Sequence, residues 1–175
     1  MKFNFDTDAP KIFATSGIYT ESAMSFMTPQ SPSNLSKLRD RGAKMIVYHG
    51  TSDPVFSFND TVSWLDSVKA VFGGLTDSFV KLYPVPAMSH CSGGPAADQF
   101  DLLDPLVNWV EKGVTPGSVV AKARGVGTSS IPALINAEVP NTWAADRTRP
   151  LCPYPTVATY NGSGDHNTAA SFSCK

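Results

Sequence analysis

Two short stretches hold side chains whose types and order could do acyl-transfer chemistry: His49-Gly50-Thr51-Ser52-Asp53-Pro54 and Met88-Ser89-His90-Cys91-Ser92-Gly93-Gly94-Pro95. Attack by a serine hydroxyl needs a base beside it, and a buried carboxylate that fixes the imidazole tautomer and stabilises the imidazolium. Asp53 and His90 suit those two roles. The acid also precedes the histidine, as in hydrolases whose chain order is nucleophile, acid, histidine. An Asp before a proline initiates turns as well, and a single loop histidine commonly serves structure or faces solvent. Placement on consecutive strand ends is what favours chemistry for the pair.

Other candidates carry less. His49 is a rival base, but it stands ahead of Asp53 in the same turn, which suits it to hydrogen bonding within that turn. His166 lies in the polar loop Gly162-Ser163-Gly164-Asp165-His166-Asn167 and is assigned no role. Asp98, Asp101 and Asp104 are spaced by three and could suggest a cation site; acidic residues also favour a helix N-terminus, and that reading is taken, with no metal ligand assigned. A nucleophile elbow requires a strand, a Gly-x-Ser-x-Gly-like sharp turn and a helix, all upstream of the acid. No serine before Asp53 has that setting. Ser16 precedes Gly17, Ser36 falls inside a short helix, and Ser163 follows the histidine. The nucleophile is therefore expected outside this chain.

The elements that must position Asp53 and His90 are legible from periodicity. Residues 1–33, broken by Pro10, Pro29 and Pro32, read as loop with one short helix. Asn34 can cap a helix through Leu38 that ends at Gly42, and Lys44 to Tyr48 is a continuous apolar run, hence a buried strand. From Asn59, Val62, Leu65, Val68, Val71 and Phe72 recur at helical spacing up to Gly73-Gly74, which can supply a left-handed C-cap. Ser78 to Val85 reads as a second strand. Asp98 should start a second helix through Leu102, Leu103, Leu106, Trp109 and Val110, closed by Lys112-Gly113, and Ser118 to Ala123 reads as another strand. Strand, Asp turn, helix, strand, His loop, helix is the order of the last third of a doubly wound hydrolase sheet, where ligands meet loops at the carboxyl ends of parallel strands.

Composition sets outer bounds. The 175 residues are 42% hydrophobic and 17% charged, enough for one core. A net charge of -1 provides no electrostatic reason to expect nucleic acid or an anionic membrane as partner. No apolar run approaches the ~20 residues of a membrane span. Met1 to Ser16 lacks the basic start and apolar centre of a signal peptide, so the chain is expected to lack its true beginning. Sequons at Asn34, Asn59 and Asn161 are compatible with secretion in a eukaryote. Three cysteines, Cys91, Cys152 and Cys174, are an odd number, which in an oxidising setting suggests a partner outside the chain.

The sequence resembles the tannase and feruloyl-esterase family, which includes enzymes that cut aromatic polyester fragments. The resemblance rests on Leu35-Ser36-Lys37-Leu38-Arg39-Asp40-Arg41-Gly42-Ala43-Lys44, on the two stretches around Asp53 and His90 extended back to Val85, and on a tail running from Arg147 through Cys152-Pro153-Tyr154-Pro155 and Tyr160-Asn161-Gly162-Ser163-Gly164 to Cys174. It implies an α/β fold: residues 1–113 as the C-terminal half of an α/β-hydrolase core, strands with helices packed on both faces, and residues 114–175 as a loop-rich, disulfide-stapled extension packing on the same domain. In the family a cysteine just before the nucleophilic serine pairs with the one just after the histidine. The resemblance thus assigns Cys91 to an absent N-terminal half and holds serine and histidine close, since disulfide geometry keeps the two Cα atoms ~5.5 Å apart. Cys152 and Cys174 would pair with each other, adding ~3 kcal/mol by loop entropy. The lid, with a structural calcium, belongs upstream; no cofactor is expected within this chain. The implied protein is secreted or periplasmic and attacks a phenolic ester, ferulate- or gallate-like, through serine, with His90 as base then acid and Asp53 orienting it. Three readings stay open: one half of such a hydrolase joined to an N-terminal half, with an exposed apolar strand edge around Met45 to Tyr48; a truncated remnant or binding module without catalysis; and a chain with an unrecognised serine nucleophile of its own.

Overall fold

The computed structural model describes residues 2–175. Its N-terminal stretch holds two short helices, α1 (Phe5–Asp8) and α2 (Ala23–Met27), where one was expected, with a 3-10 turn Ala9–Phe13 after the first. Local capping makes them. Asn4 accepts from the amides of Asp6 and Thr7, and Ser22 accepts from that of Ser25. Burial contributes nothing here: neither helix has a buried residue, and Phe3, Phe5, Phe13, Ile18 and Phe26 are exposed.

A third short helix, α3 (Ser36–Asp40), follows. Asn34 accepts from the amide and hydroxyl of Ser36, but the capping position is Leu35, one residue later than expected. Strand β1 (Met45–Gly50) starts one residue after Lys44 and runs on past Tyr48, because His49 and Gly50 still pair with Pro84 and Val85 of β2 (Val80–Val85). Between the strands lies α4 (Phe58–Phe72), capped by Ser57 through the amide of Asn59. It buries Leu65, Val68 and Phe72, each worth about 1.5–3 kcal/mol relative to exposure. Its end differs from expectation: Gly73 has φ 56 but ψ -140, a positive-φ turn rather than a left-handed helical cap, and a 3-10 segment Gly73–Ser78 leads into β2.

Strands β1 and β2 are parallel, in register from Met45↔Val80 to Gly50↔Val85. Side chains alternate across the pair. Met45, Val47, Val80 and Leu82 pack with Leu65 and Val68 of α4, whereas Ile46, Tyr83 and Val85 face a second cluster. That second face is covered differently from the helix-on-each-face expectation. Met88, Ala96, Ala97, Phe100, Ala121 and Leu151 supply the packing, mostly from loops and short strands. The helix α5 (Leu103–Lys112) buries only Trp109 and leaves Leu103, Val107 and Val110 exposed.

α5 also starts five residues later than the sequence suggested. Asp98 is not at a helix N-terminus; its carboxylate is removed from water and paired with Arg124, while Asp101 accepts from the amides of Leu103 and Asp104 at the true start. Further on, β3 (Val119–Lys122) pairs antiparallel with β4 (Thr148–Leu151), and β5 (Ala158–Tyr160) with β6 (Phe172–Cys174). A disulfide joins Cys152 to Cys174, with Cα atoms 5.6 Å apart. Among the described residues no strand pairs with the outer edge of β1, and no helix is long and apolar enough to cross a membrane.

Candidate active site

Parallel pairing brings the carboxyl ends of β1 and β2 to one edge, so the turn after Gly50 and the loop after Val85 meet there. Their backbones interlock: the Ser52 amide donates to the Met88 carbonyl at 3.1 Å, and the Ala87 amide donates to the Thr51 hydroxyl at 2.9 Å. Glycine is required at position 50, where a Cβ would lie 2.2 Å from the Met88 carbonyl oxygen.

Asp53 and His90 are joined across this junction. His90 Nδ1 stands 2.9 Å from Asp53 Oδ2, and Asp53 Oδ1 accepts from the amides of Val55 (2.8 Å) and Phe56 (3.0 Å). The Asp53 side chain is 5% exposed and that of His90 45%. Removal from water pushes the Asp53 carboxyl up. The His90 hydrogen bond, the two amides and the charge on His90 together outweigh it and hold the acid down at about 2. An ionised carboxylate only accepts, so the proton of neutral His90 sits on Nδ1 and the Nε2 lone pair points away from the acid. Among the described residues Nε2 has no hydrogen-bond partner. An oriented imidazole with an open basic nitrogen is what a hydroxyl nucleophile requires.

His49 lies behind the acid. Its Nε2 is 3.1 Å from the Phe56 carbonyl and 3.4 Å from Asp53 Oδ2, both acceptors, so Nε2 carries the proton and Nδ1 accepts from the Thr61 hydroxyl at 2.7 Å. It braces the turn. His166 stacks on Tyr160, their ring centroids 4.1 Å apart, in the tail. Phe56 and Val55 stand exposed beside the pair, with the Phe56 ring centroid 5.4 Å from that of His90. Cys91 is free and exposed, and its φ of 64 is unusual for a residue with a side chain.

Among the described residues β1 is the first strand, so the only serine between a strand and Asp53 is Ser52, inside the Asp53 turn itself. There is among the described residues no group of three or more His, Cys, Asp or Glu that could hold a metal ion. Sequence reasoning missed the side chains that grip the His90 loop from its far side. Asp98 accepts from the Gly93 amide, Glu138 from the Gly94 amide, and Asn136 Nδ2 donates to the Gly94 carbonyl. They sit in aperiodic segments and bond to backbone, which leaves no pattern of residue types to read.

Comparison with known proteins bears on what this arrangement serves. A family model described as tannase and feruloyl esterase matches residues 2–175. The chain is 47% identical over 174 residues to a mono(2-hydroxyethyl) terephthalate hydrolase of Piscinibacter sakaiensis, covering 99% of this chain and 26% of that protein. It is 31% identical to a probable feruloyl esterase of Arthroderma benhamiae, covering 98% of this chain and 30% of the relative. Among solved structures, an esterase from Aspergillus oryzae superposes with a TM-score of 0.66 at 25% identity, over 82% of this chain and 29% of that one. The chain thus spans under a third of the length of these relatives.

Proposed function

The chain belongs to the tannase and feruloyl esterase family, and from that membership we propose that it supplies the acid and base of a serine carboxylic ester hydrolase whose nucleophile lies in an upstream part. One observation carries the reading: the Asp53–His90 hydrogen bond at 2.9 Å, with the carboxylate fixed by two backbone amides and Nε2 open. In the reaction His90 Nε2 takes the proton of the serine hydroxyl as its oxygen attacks the ester carbonyl. Asp53 stabilises the imidazolium. The tetrahedral intermediate then collapses, His90 hands the proton to the departing alcohol, and a water activated by the same nitrogen releases the acid. Asp53 stays ionised throughout, since its pKa lies near 2.

The β1–β2 pair is, on this reading, the C-terminal end of an α/β-hydrolase sheet. Three surfaces support a missing complement: the unpaired outer edge of β1, the apolar stripe Leu103, Val107 and Val110 on α5, and the exposed apolar side chains of residues 3–27. Cys91 beside His90 is the cysteine that would tie the upstream part to this one. Exposed Phe56 and Val55 at the rim favour an aromatic acyl group, which fits phenolic esters and the terephthalate ester named for one relative. The disulfide between Cys152 and Cys174 supports an oxidising compartment, hence secretion or a periplasmic site.

The test is hydrolysis of methyl ferulate, methyl gallate and mono(2-hydroxyethyl) terephthalate by the longest natural form of the protein, beside His90→Ala. Turnover of at least one ester, lost in the variant, is the expected result. Turnover that survives in His90→Ala would remove His90 from the chemistry, and no turnover in any natural form would favour a remnant that binds without catalysing.

A further inference from the structure

The His90 loop is held from two sides, and the second side belongs to Asp98 and to residues more than thirty positions downstream. On the near side it rests on the Asp53 turn through Ser52 and Thr51. The Ser89 amide donates to the Gly93 carbonyl, which closes a tight loop around His90, Cys91 and Ser92. Within it Cys91 has φ 64, and Ala87 just before it has φ 59. Non-glycine residues in that region are strained and persist only when their surroundings over-determine them. The surroundings here are Gly93 and Gly94. The Gly93 amide donates to Asp98 Oδ2 (2.9 Å), the Gly94 amide to Glu138 Oε2 (2.7 Å), and Asn136 Nδ2 donates to the Gly94 carbonyl (2.8 Å).

These three side chains are themselves fixed. Asp98 is bound bidentately by Arg124, Nε to Oδ1 at 3.0 Å and Nη2 to Oδ2 at 2.5 Å. The Asn136 amide donates to the Arg124 carbonyl, and Asn136 Oδ1 accepts from the Glu138 amide. The chain therefore runs from Arg124 through Asn136 to Glu138 with every step bonded, ending on the backbone three and four residues after His90. Gly94 admits no side chain, since a Cβ would stand 2.1 Å from the Ala87 carbonyl oxygen. The loop backbone packs closely against Ala87 on that side.

We infer that Asp98, Arg124, Asn136 and Glu138 form a clamp of positioning residues that sets the His90 imidazole against Asp53, giving the region after Gly113 a direct part in turnover. The inference rests on His90 being the base. None of the four touches the reacting atoms; they act through the Gly93-Gly94 backbone. A loosened loop still admits substrate but spends less time with Nε2 in line, so kcat falls while KM holds.

Glu138 gives the cleanest test, because its side chain lies at the surface and the fold does not depend on burying it. In the longest natural form of the protein, Glu138→Ala is expected to lower kcat roughly five- to twenty-fold with KM within about two-fold. Glu138→Gln, whose amide oxygen can still accept from Gly94, should keep kcat within about two-fold of the parent. Asp98→Asn, read in parallel, is expected to lower kcat further, with the folded fraction followed by thermal unfolding. The clamp is refuted by a Glu138→Ala enzyme with unchanged kcat, or by Gln and Ala variants equally impaired. His90→Ala separates the two failures. If it is inactive while Glu138→Ala is normal, the clamp alone is wrong; if it is fully active, the assignment of His90 as base falls and the clamp with it.

Discussion

Asp53 and Asp98 are two carboxylates withdrawn from water on opposite sides of one loop, and their partners differ. Each accepts from backbone amides, Asp53 from Val55 and Phe56, Asp98 from Gly93. Asp53 faces an imidazole, a group that can pass a proton on; Asp98 faces a guanidinium, which keeps its charge. The Asp53 side is open, with nearly half of the His90 side chain exposed, whereas the Asp98 carboxylate is fully enclosed. On the function proposed above, permanence of the partner's charge separates a carboxylate that supports chemistry from one that fixes a scaffold.

Asp53→Asn should show the largest effect. The Asn oxygen can still accept from the Val55 and Phe56 amides, but its NH2 cannot accept from His90 Nδ1, so the ring flips to the wrong tautomer. A loss of roughly 10⁴-fold in kcat with little change in unfolding midpoint is expected from steady-state kinetics and thermal melts. Asp98→Ala should differ in weakening the fold as well as the rate: it leaves Arg124 unpaired and costs about 3 kcal/mol of stability, read by urea unfolding. Equal stability losses in both variants would erase the distinction between the two acids.

Replacing Cys152 and Cys174 together by Ser should cost about 3 kcal/mol by the loop-entropy model, measured the same way. It should leave the Asp53–His90 contact intact, because the bridge joins the tail and reaches neither carboxylate. The smallest effect is in pH. Both acids have folded pKa values below the ordinary carboxylate range, near 2 for Asp53 and lowered for Asp98, where burial raises it but the Arg124 and Gly93 hydrogen bonds prevail. A depressed pKa contributes stability above the unfolded value of about 4 and loses it as pH falls through the folded one. Stability should therefore decline between about pH 4 and pH 2, and a profile for Asp53→Asn should be flatter in that window.

Much of the machinery around Asp53 was legible in the sequence, and little of that around Asp98. β1, α4 and β2 bury continuous or periodic apolar runs, so Met45–Val47, Leu65, Val68 and Leu82 announced both the elements and the edge where Asp53 and His90 emerge. Asp98 looked like a helix-starting acid because Asp101 and Asp104 follow at helical spacing. Its real partner, Arg124, lies 26 residues on across an aperiodic stretch, and tertiary pairing overrode the local pattern. Asn136 and Glu138 were invisible for the same reason. α1 and α2 arise from caps rather than from an apolar face, so hydrophobic periodicity had nothing to report. The pairing of Cys152 with Cys174 came from family resemblance, not from spacing.

The most direct test of the account is labelling with a fluorophosphonate, which reacts only with a serine activated by its base, followed by peptide mapping. The chain would be probed alone and with the upstream part of the terephthalate-hydrolase relative supplied, each beside His90→Ala. The expected result is no label within residues 1–175 and a label on an upstream serine that disappears in His90→Ala. Label on a serine of this chain, or an upstream label indifferent to His90, would contradict it.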